Sequence, residues 1–211
     1  MIDFDNKKGN EQLALTLKKI NEFLLERPLE STTEIENEFK FSDKQLWMLS
    51  ITAIYRTYEE SYEFNTLQDK LATSLTRGVS KEKLKNQWHI HNLEDLMAEV
   101  KELEKKESVE EFGEAYMIWD YARIFMLVRL AFDLKWINEQ EFWQLLATYA
   151  PEIQQSYNGW KEMATAFLQA RKLWAGSEIT QQNQFEKLIE KLLNNPSSVW
   201  NNVSWNTDLT T

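Results

Sequence analysis

Between Ala115 and Lys135 the chain places 16 apolar residues in 21, interrupted by Asp120, Arg123, Arg129 and Asp133. A stretch this apolar has to be buried, and it is apolar nearly all round rather than along one stripe, so it predicts burial on every side. Its longest uncharged run falls far short of the ~20 residues that cross a bilayer, so a membrane span is not expected. Ser108 and Glu111 have the spacing of a capping box, which predicts one continuous helix from about Val109 to Lys135. At about 100° per residue Asp120 and Arg123 lie about 60° apart, Arg129 and Asp133 about 40° apart, and Arg129 falls opposite Asp120. Two acid–arginine pairs therefore leave opposite sides of a buried helix, where an isolated ion would cost several kcal/mol.

The rest of the chain fits around such a helix. With 5 Gly and 3 Pro in 211 residues the punctuation of a many-stranded protein is missing, and 43% hydrophobic residues are enough for a packed core. Leu13, Leu17, Ile20, Leu24 and Leu25 recur at helical spacing up to Pro28. Ser42 with Gln45 predicts a capped helix running about four turns through Leu46, Leu49, Ile51, Ala53, Ile54 and Tyr58. Leu71 and Leu75 predict a short helix, with a break at Gly78 and a Ser80-led turn ending near Trp88. Leu93, Leu96, Met97, Val100 and Leu103 mark the next stripe. Asn138 with Glu141 caps a helix that Pro151 is expected to disturb. A further helix is expected from about Gly159 to Gly176, and a last one through Phe185, Leu188, Ile189, Leu192 and Leu193 to Asn194. The expected fold is all-α, a compact single-domain bundle of about seven or eight helices around a buried central helix near 109–135. Residues 1–195 form the domain, and 196–211 an Asn/Ser/Trp-rich tail. That tail carries Trp200 and Trp205, which anchor either a strap folded back on its own domain or a contact with a partner.

The chain has 24 Lys+Arg and 34 Asp+Glu, a net charge of −10, which argues against phosphate-backbone binding and hence against nucleic acid as a partner. Residues 92–111 hold eight acids and three lysines, half of the net charge in one short segment. Such a segment is either an acidic docking face for a basic partner or a solvated helix face supported by its own Glu–Lys neighbours. Zero Cys fits a reducing compartment, and Met1 to Asn10 is polar and charged, so a cytoplasmic location is expected without a secretory signal. A basic amphipathic helix for the membrane surface is not seen.

Little catalytic chemistry is on offer. The five glycines, at 9, 78, 113, 159 and 176, are too scattered for a phosphate-cradling loop. His89 and His91 would share a face on an extended segment, but without Cys or a third His they predict no metal site. No catalytic residue and no cofactor is expected. Arg123, with Arg171 from a later helix, would either join a buried network pinning neighbouring helices or line a cleft for a carboxylate or phosphate. Most of the nine tryptophans fall at helix-face positions and should be core.

The run Ala115-Tyr116-Met117-Ile118-Trp119-Asp120-Tyr121-Ala122-Arg123, then Arg129, then Leu134-Lys135-Trp136-Ile137 before Glu139-Gln140-Glu141-Phe142-Trp143, resembles the central signature of the bacterial Domain-of-Unknown-Function 1266 family. Ser156 to Glu162 and Phe167 to Trp174 resemble its second signature, with Ala170 where Gly is usual. The similar core covers about residues 84–176. The resemblance implies a largely helical protein without an established activity, and it picks out Asp120, Arg123, Arg129, Trp160, Arg171 and Trp174. These six are the candidate binding residues. The function expected from all this is a non-catalytic cytoplasmic interaction module, an adaptor or neutralising partner, using an acidic helical face toward an unidentified and basic protein. The alternative is a binder of a small anionic ligand, or an enzyme, with an Arg-lined cleft around Arg123 and Arg171. Oligomeric state is left open.

Overall fold

The computed structural model describes residues 41–55, 77–175 and 179–210, and these fall within one compact unit, Lys40–Thr211. Every regular element among the described residues is helical. The helix expected over 13–25, and the short one through Leu71 and Leu75, lie outside the described residues.

Helix α1 (Asp43–Ile51) opens on the expected capping box: Gln45 N donates to Ser42 Oγ at 3.3 Å and Ser42 N to Gln45 Oε1 at 2.9 Å. The helix turns at Thr52 and residues 53–55 resume helical conformation; the rest of the expected four turns, to Tyr58, lies outside the described residues. Helix α2 (Arg77–Trp88) contains Gly78, which does not break it; a glycine in the first turn sits where few intrahelical bonds depend on it. Two buried side chains, Ser80 and Leu84, hold α2 to the core. His89 ends α2 in the left-handed region, φ 55°, and Ile90 N donates back to Leu84 O at 3.0 Å. The extended segment that would have put His89 and His91 on one face is therefore not formed.

Helix α3 (Leu93–Glu104) is capped by Asn92, whose side chain accepts from Asp95 N at 2.9 Å, and it buries Leu96, Val100 and Leu103. The structure then divides the helix expected over 109–135. Lys106 turns left-handed (φ 55°), α4 (Glu107–Phe112) follows with Ser108 inside it rather than capping it, and Gly113 breaks the chain at φ 93°. A glycine reaches that conformation without the Cβ clash other residues meet. A single 3-10 turn (Glu114–Tyr116) leads into α5 (Met117–Asp133). The all-round burial predicted for this segment holds: of the 17 residues of α5 only Arg123 and Phe132 are not buried. Its end is fixed by Lys135 at φ 60° and by Trp136 N donating to Ala131 O at 2.9 Å.

Helix α6 (Glu139–Ser156) begins at the second expected capping box, with Glu141 N donating to Asn138 Oδ1 at 3.0 Å and Asn138 N to Glu141 Oε2 at 2.6 Å. It continues through Pro151 to Ser156. The proline is exposed, and buried Ala150 and Ile153 beside it hold the helix on course despite the missing N–H. Helices α7 (Trp160–Ala175), α8 (Ile179–Asn194) and α9 (Val199–Asn202) complete the set. Helix α5 packs against α2, α3, α6 and α7, so it is the hub; α7 also packs on α8, and α1 on α6 and α9.

The segment after Pro196 is not peripheral. Val199, Trp200, Val203, Trp205 and Leu209 are buried, and Trp200 and Trp205 join Trp47 and Trp160 in one aromatic cluster. Trp160 stacks on Trp200 at 5.8 Å and meets Trp205 edge-on at 4.7 Å. Each of the four indole N–H groups donates to a carbonyl: Trp47 to Trp205, Trp160 to Val203, Trp200 to Ser50 and Trp205 to Tyr157, all at 2.9–3.0 Å. Tail and helices thus satisfy each other's polar groups within an apolar cluster.

Candidate functional site

Helix α5 presents its charged residues in two directions, as the helical angles predict. On one side Asp120 and Arg123 form an ion pair three residues apart, with the Asp120 side chain almost fully enclosed. Arg123 Nε also donates to Trp119 O at 3.3 Å, and its guanidinium lies 5.2 Å over the Trp119 ring. Helix α7 brings Phe167 and Trp174 against the same indole, at 5.4 and 5.5 Å. Tyr55, just beyond α1, touches Phe167 at 5.5 Å and Phe185 of α8 at 6.3 Å, and the buried Arg171 guanidinium lies 4.6 Å over Phe185.

Four of the six residues singled out from the sequence, Asp120, Arg123, Arg171 and Trp174, therefore border one aromatic cluster. Within it, Tyr55 Oη and Trp119 Nε1 are enclosed and have no hydrogen-bond partner. An enclosed, unsatisfied donor costs about 1–3 kcal/mol, so two whose rings both pack on Phe167 call for an explanation. Burial pushes the Tyr55 hydroxyl well above its usual range; Arg123 and Arg171 act against this and Asp120 with it. At the edge Trp174 is 63% exposed and Leu173 49%, the large apolar side chains most open to solvent among the described residues.

The other two candidates lie elsewhere. Arg129, on the opposite side of α5, donates to Thr52 Oγ1 at 2.6 Å and to Leu49 O at 3.4 Å, and Thr52 in turn donates to Leu49 O at 3.0 Å. One turn further Asp133 accepts from Ser80 Oγ at 2.6 Å. These buried contacts tie α1 and α2 to the hub. Trp160 belongs to the cluster with the C-terminal segment.

Sequence reasoning passed over Tyr55, Trp119, Phe167 and Phe185 as site residues. Helix-face positions mark Trp119, Phe167 and Phe185 only as core, Tyr55 falls in none of the expected stripes, and nothing in a single sequence reports that a hydroxyl or an indole N–H lacks a partner. It also passed over a half-buried polar group at the α3–α4 elbow. Tyr149 donates to Glu104 at 2.5 Å, Tyr121 donates to Glu152 at 2.5 Å, and Lys106 pairs with Glu152 while lying 5.5 Å over the Tyr121 ring. Burial raises the Glu104 carboxyl, against the Tyr149 hydrogen bond and Lys101, which lower it. Outside this elbow α3 and α4 expose Glu94, Glu102, Glu107, Glu110 and Glu111.

Among the described residues no group of three or more His, Asp or Glu side chains is placed to hold a metal ion, and no helix is long and apolar enough to cross a membrane. No curated protein and no solved structure matches the chain. The profile of a family described as "Protein of unknown function (DUF1266)" matches residues 34–205, which takes in the hub helix, the Asp120–Arg171 cluster and both tail tryptophans. The chain belongs to the DUF1266 family.

Proposed function

We propose that the protein is a non-catalytic, cytoplasmic interaction module, an adaptor or neutralising partner that meets a basic protein through α3 and α4. The supporting observation is the division of labour on α3. Leu96, Val100 and Leu103 fix one side of it in the core, and the carboxylates of Glu94 and Glu102, with Glu107, Glu110 and Glu111 of α4, stand in solvent. Lys101 and Lys105 are exposed on the same face and Lys105 pairs with Glu102, so the face is mixed in sign with acids in excess, and such an excess steers a partner of opposite sign in a way that weakens with salt. Affinity capture from the native host, with the wild type beside Glu102→Lys/Glu110→Lys/Glu111→Lys, tests it. The wild type should retain a stoichiometric basic protein at low salt that the variant loses. Recovery of none, or equal recovery by the variant, sinks the reading.

A second reading is favoured by a different observation, the two unpartnered donors Tyr55 Oη, just beyond α1, and Trp119 Nε1 of α5. Tyr55 Oη and Trp119 Nε1 are enclosed donors without an acceptor, the charges of Arg123 and Arg171 act on Tyr55, and Arg123 lies over the Trp119 ring; a small anionic ligand would use such groups. Calorimetric titration of the intact chain with acetate and phosphate checks for an anion site; heat-silent titrations with both, at millimolar ligand, count against it.

A further inference from the structure

The sequence holds one Asn-Gly step, Asn158–Gly159, and the fold sets its asparagine in solvent in the short turn between α6 and α7. A carboxamide side chain followed by glycine is open to attack by the next backbone nitrogen, because no Cβ crowds the five-membered ring that forms. The space beside Gly159 is open: its φ lies outside the left-handed region, and a Cβ there would meet nothing within 4 Å. Glu162, in the first turn of α7, acts as a restraint. A single oxygen, Glu162 Oε2, accepts from Asn158 N and from Asn158 Nδ2, both at 2.8 Å. These two bonds hold the Glu162 carboxyl below its usual range and tie down the amide nitrogen that would have to leave. The turn also lies between two residues that seat the C-terminal segment. Tyr157 O accepts from Trp205 Nε1 at 2.9 Å, Tyr157 Oη accepts from Ile118 N of the hub helix at 3.2 Å, and Trp160 Nε1 donates to Val203 O at 2.9 Å.

We propose that Asn158–Gly159 is a self-modification site, latched by Glu162, whose conversion loosens the seat of the C-terminal segment. Gly159 N bonds to Asn158 Cγ, the Cγ–Nδ2 bond breaks, and Nδ2 leaves as ammonia with the proton of the Gly159 N–H, closing a succinimide. Water then opens the ring at either carbonyl, giving aspartate or isoaspartate at this position. One water is taken up and one ammonia is lost, with no change of oxidation state. Aspartate replaces the donor that faced Glu162 with a second carboxylate, and like charges repel. Isoaspartate adds one atom to the backbone between Tyr157 and Trp160, so the Tyr157 carbonyl and the Trp160 indole lose the spacing that holds Trp205 and Val203.

The test is incubation of the full chain at mildly alkaline pH, with each asparagine followed by peptide mass spectrometry and the indole N–H resonances recorded in parallel. Asn158 should convert several times faster than any other asparagine. Gly159→Ala, which the open space accommodates, and Asn158→Gln, which would have to close a six-membered ring, should each stop the conversion. Glu162→Ala should speed it about threefold to tenfold, the worth of a hydrogen bond to a charged group. The isoaspartate form, separated chromatographically, should shift the Trp160 and Trp205 indole N–H resonances and melt at a lower temperature than the untreated chain. Conversion at Asn158 no faster than elsewhere, or undiminished in Gly159→Ala and Asn158→Gln, would overturn the site. Equal rates in the wild type and Glu162→Ala would overturn the latch, and unshifted indole resonances in the converted protein would overturn the link to the C-terminal segment.

Discussion

Arg129 and Asp120 meet the same difficulty, a full charge inside an apolar helix, in two ways. Asp120 pairs with Arg123 of its own helix, one turn on, and Arg129 donates across to Thr52 and the Leu49 carbonyl of α1 among its contacts. The second solution makes Thr52 worth more than its size. Thr52→Val removes an acceptor from a buried guanidinium and should cost about 1.5–3 kcal/mol in urea unfolding, while Thr52→Ser should recover most of it. Glu104 offers a separate test through pH. Its carboxyl is raised in the fold, so its favourable contribution is complete below the ordinary carboxylate range and is lost as pH climbs through the raised value. Glu104→Gln keeps an acceptor for Tyr149 without the buried charge. Stability curves of the wild type and Glu104→Gln should coincide near about pH 4 and separate by about pH 7, the variant being the more stable. Parallel curves across that range would contradict the assignment.

At the scale of elements, what was legible in the sequence was whatever is decided within one turn of helix. The Ser42–Gln45 and Asn138–Glu141 boxes form as their spacing predicts, since both partners lie on the same backbone turn. Ser108 and Glu111 have the same spacing and do not cap, because the chain turns left-handed at Lys106, two residues earlier than the pattern suggests, and breaks again at Gly113. Pro151 misleads in the opposite sense: the burial of α6 on α5 overrides a local signal. The break at Gly113 is a backbone effect alone, for a Cβ there would meet nothing within 4 Å. Gly113→Ala should therefore destabilise by about 1–2 kcal/mol through φ, seen as a lower urea midpoint with an unchanged slope.

For the whole molecule the sequence is least informative about what joins distant segments. Asp120 and Arg123 could be paired from their spacing, but that Arg171 and Trp174 border the same cluster, while Trp160 and Arg129 do not, depends on how α7 and α1 settle on α5. The tail is the same lesson: a polar composition hides Trp200 and Trp205, whose rings complete a core cluster begun by Trp47, 158 residues before Trp205. Trp205→Ala should cost about 3–5 kcal/mol, and deletion of residues 196–211 should leave a chain without a cooperative thermal transition, because Trp47 and Trp160 lose both their ring partners and the carbonyls they donate to. A tail that could be removed with the transition intact would contradict this packing.

The acidic face of α3 and α4 is the feature by which this molecule would meet another, and its signature is kinetic. The direct measurement is the association rate of the captured basic partner across about 0.05 to 0.5 M salt, for the wild type and for Glu102→Lys/Glu110→Lys/Glu111→Lys. The wild-type rate should fall steeply with salt, and the variant should start slower and vary little; identical rates and slopes for the two proteins would contradict an acidic docking face.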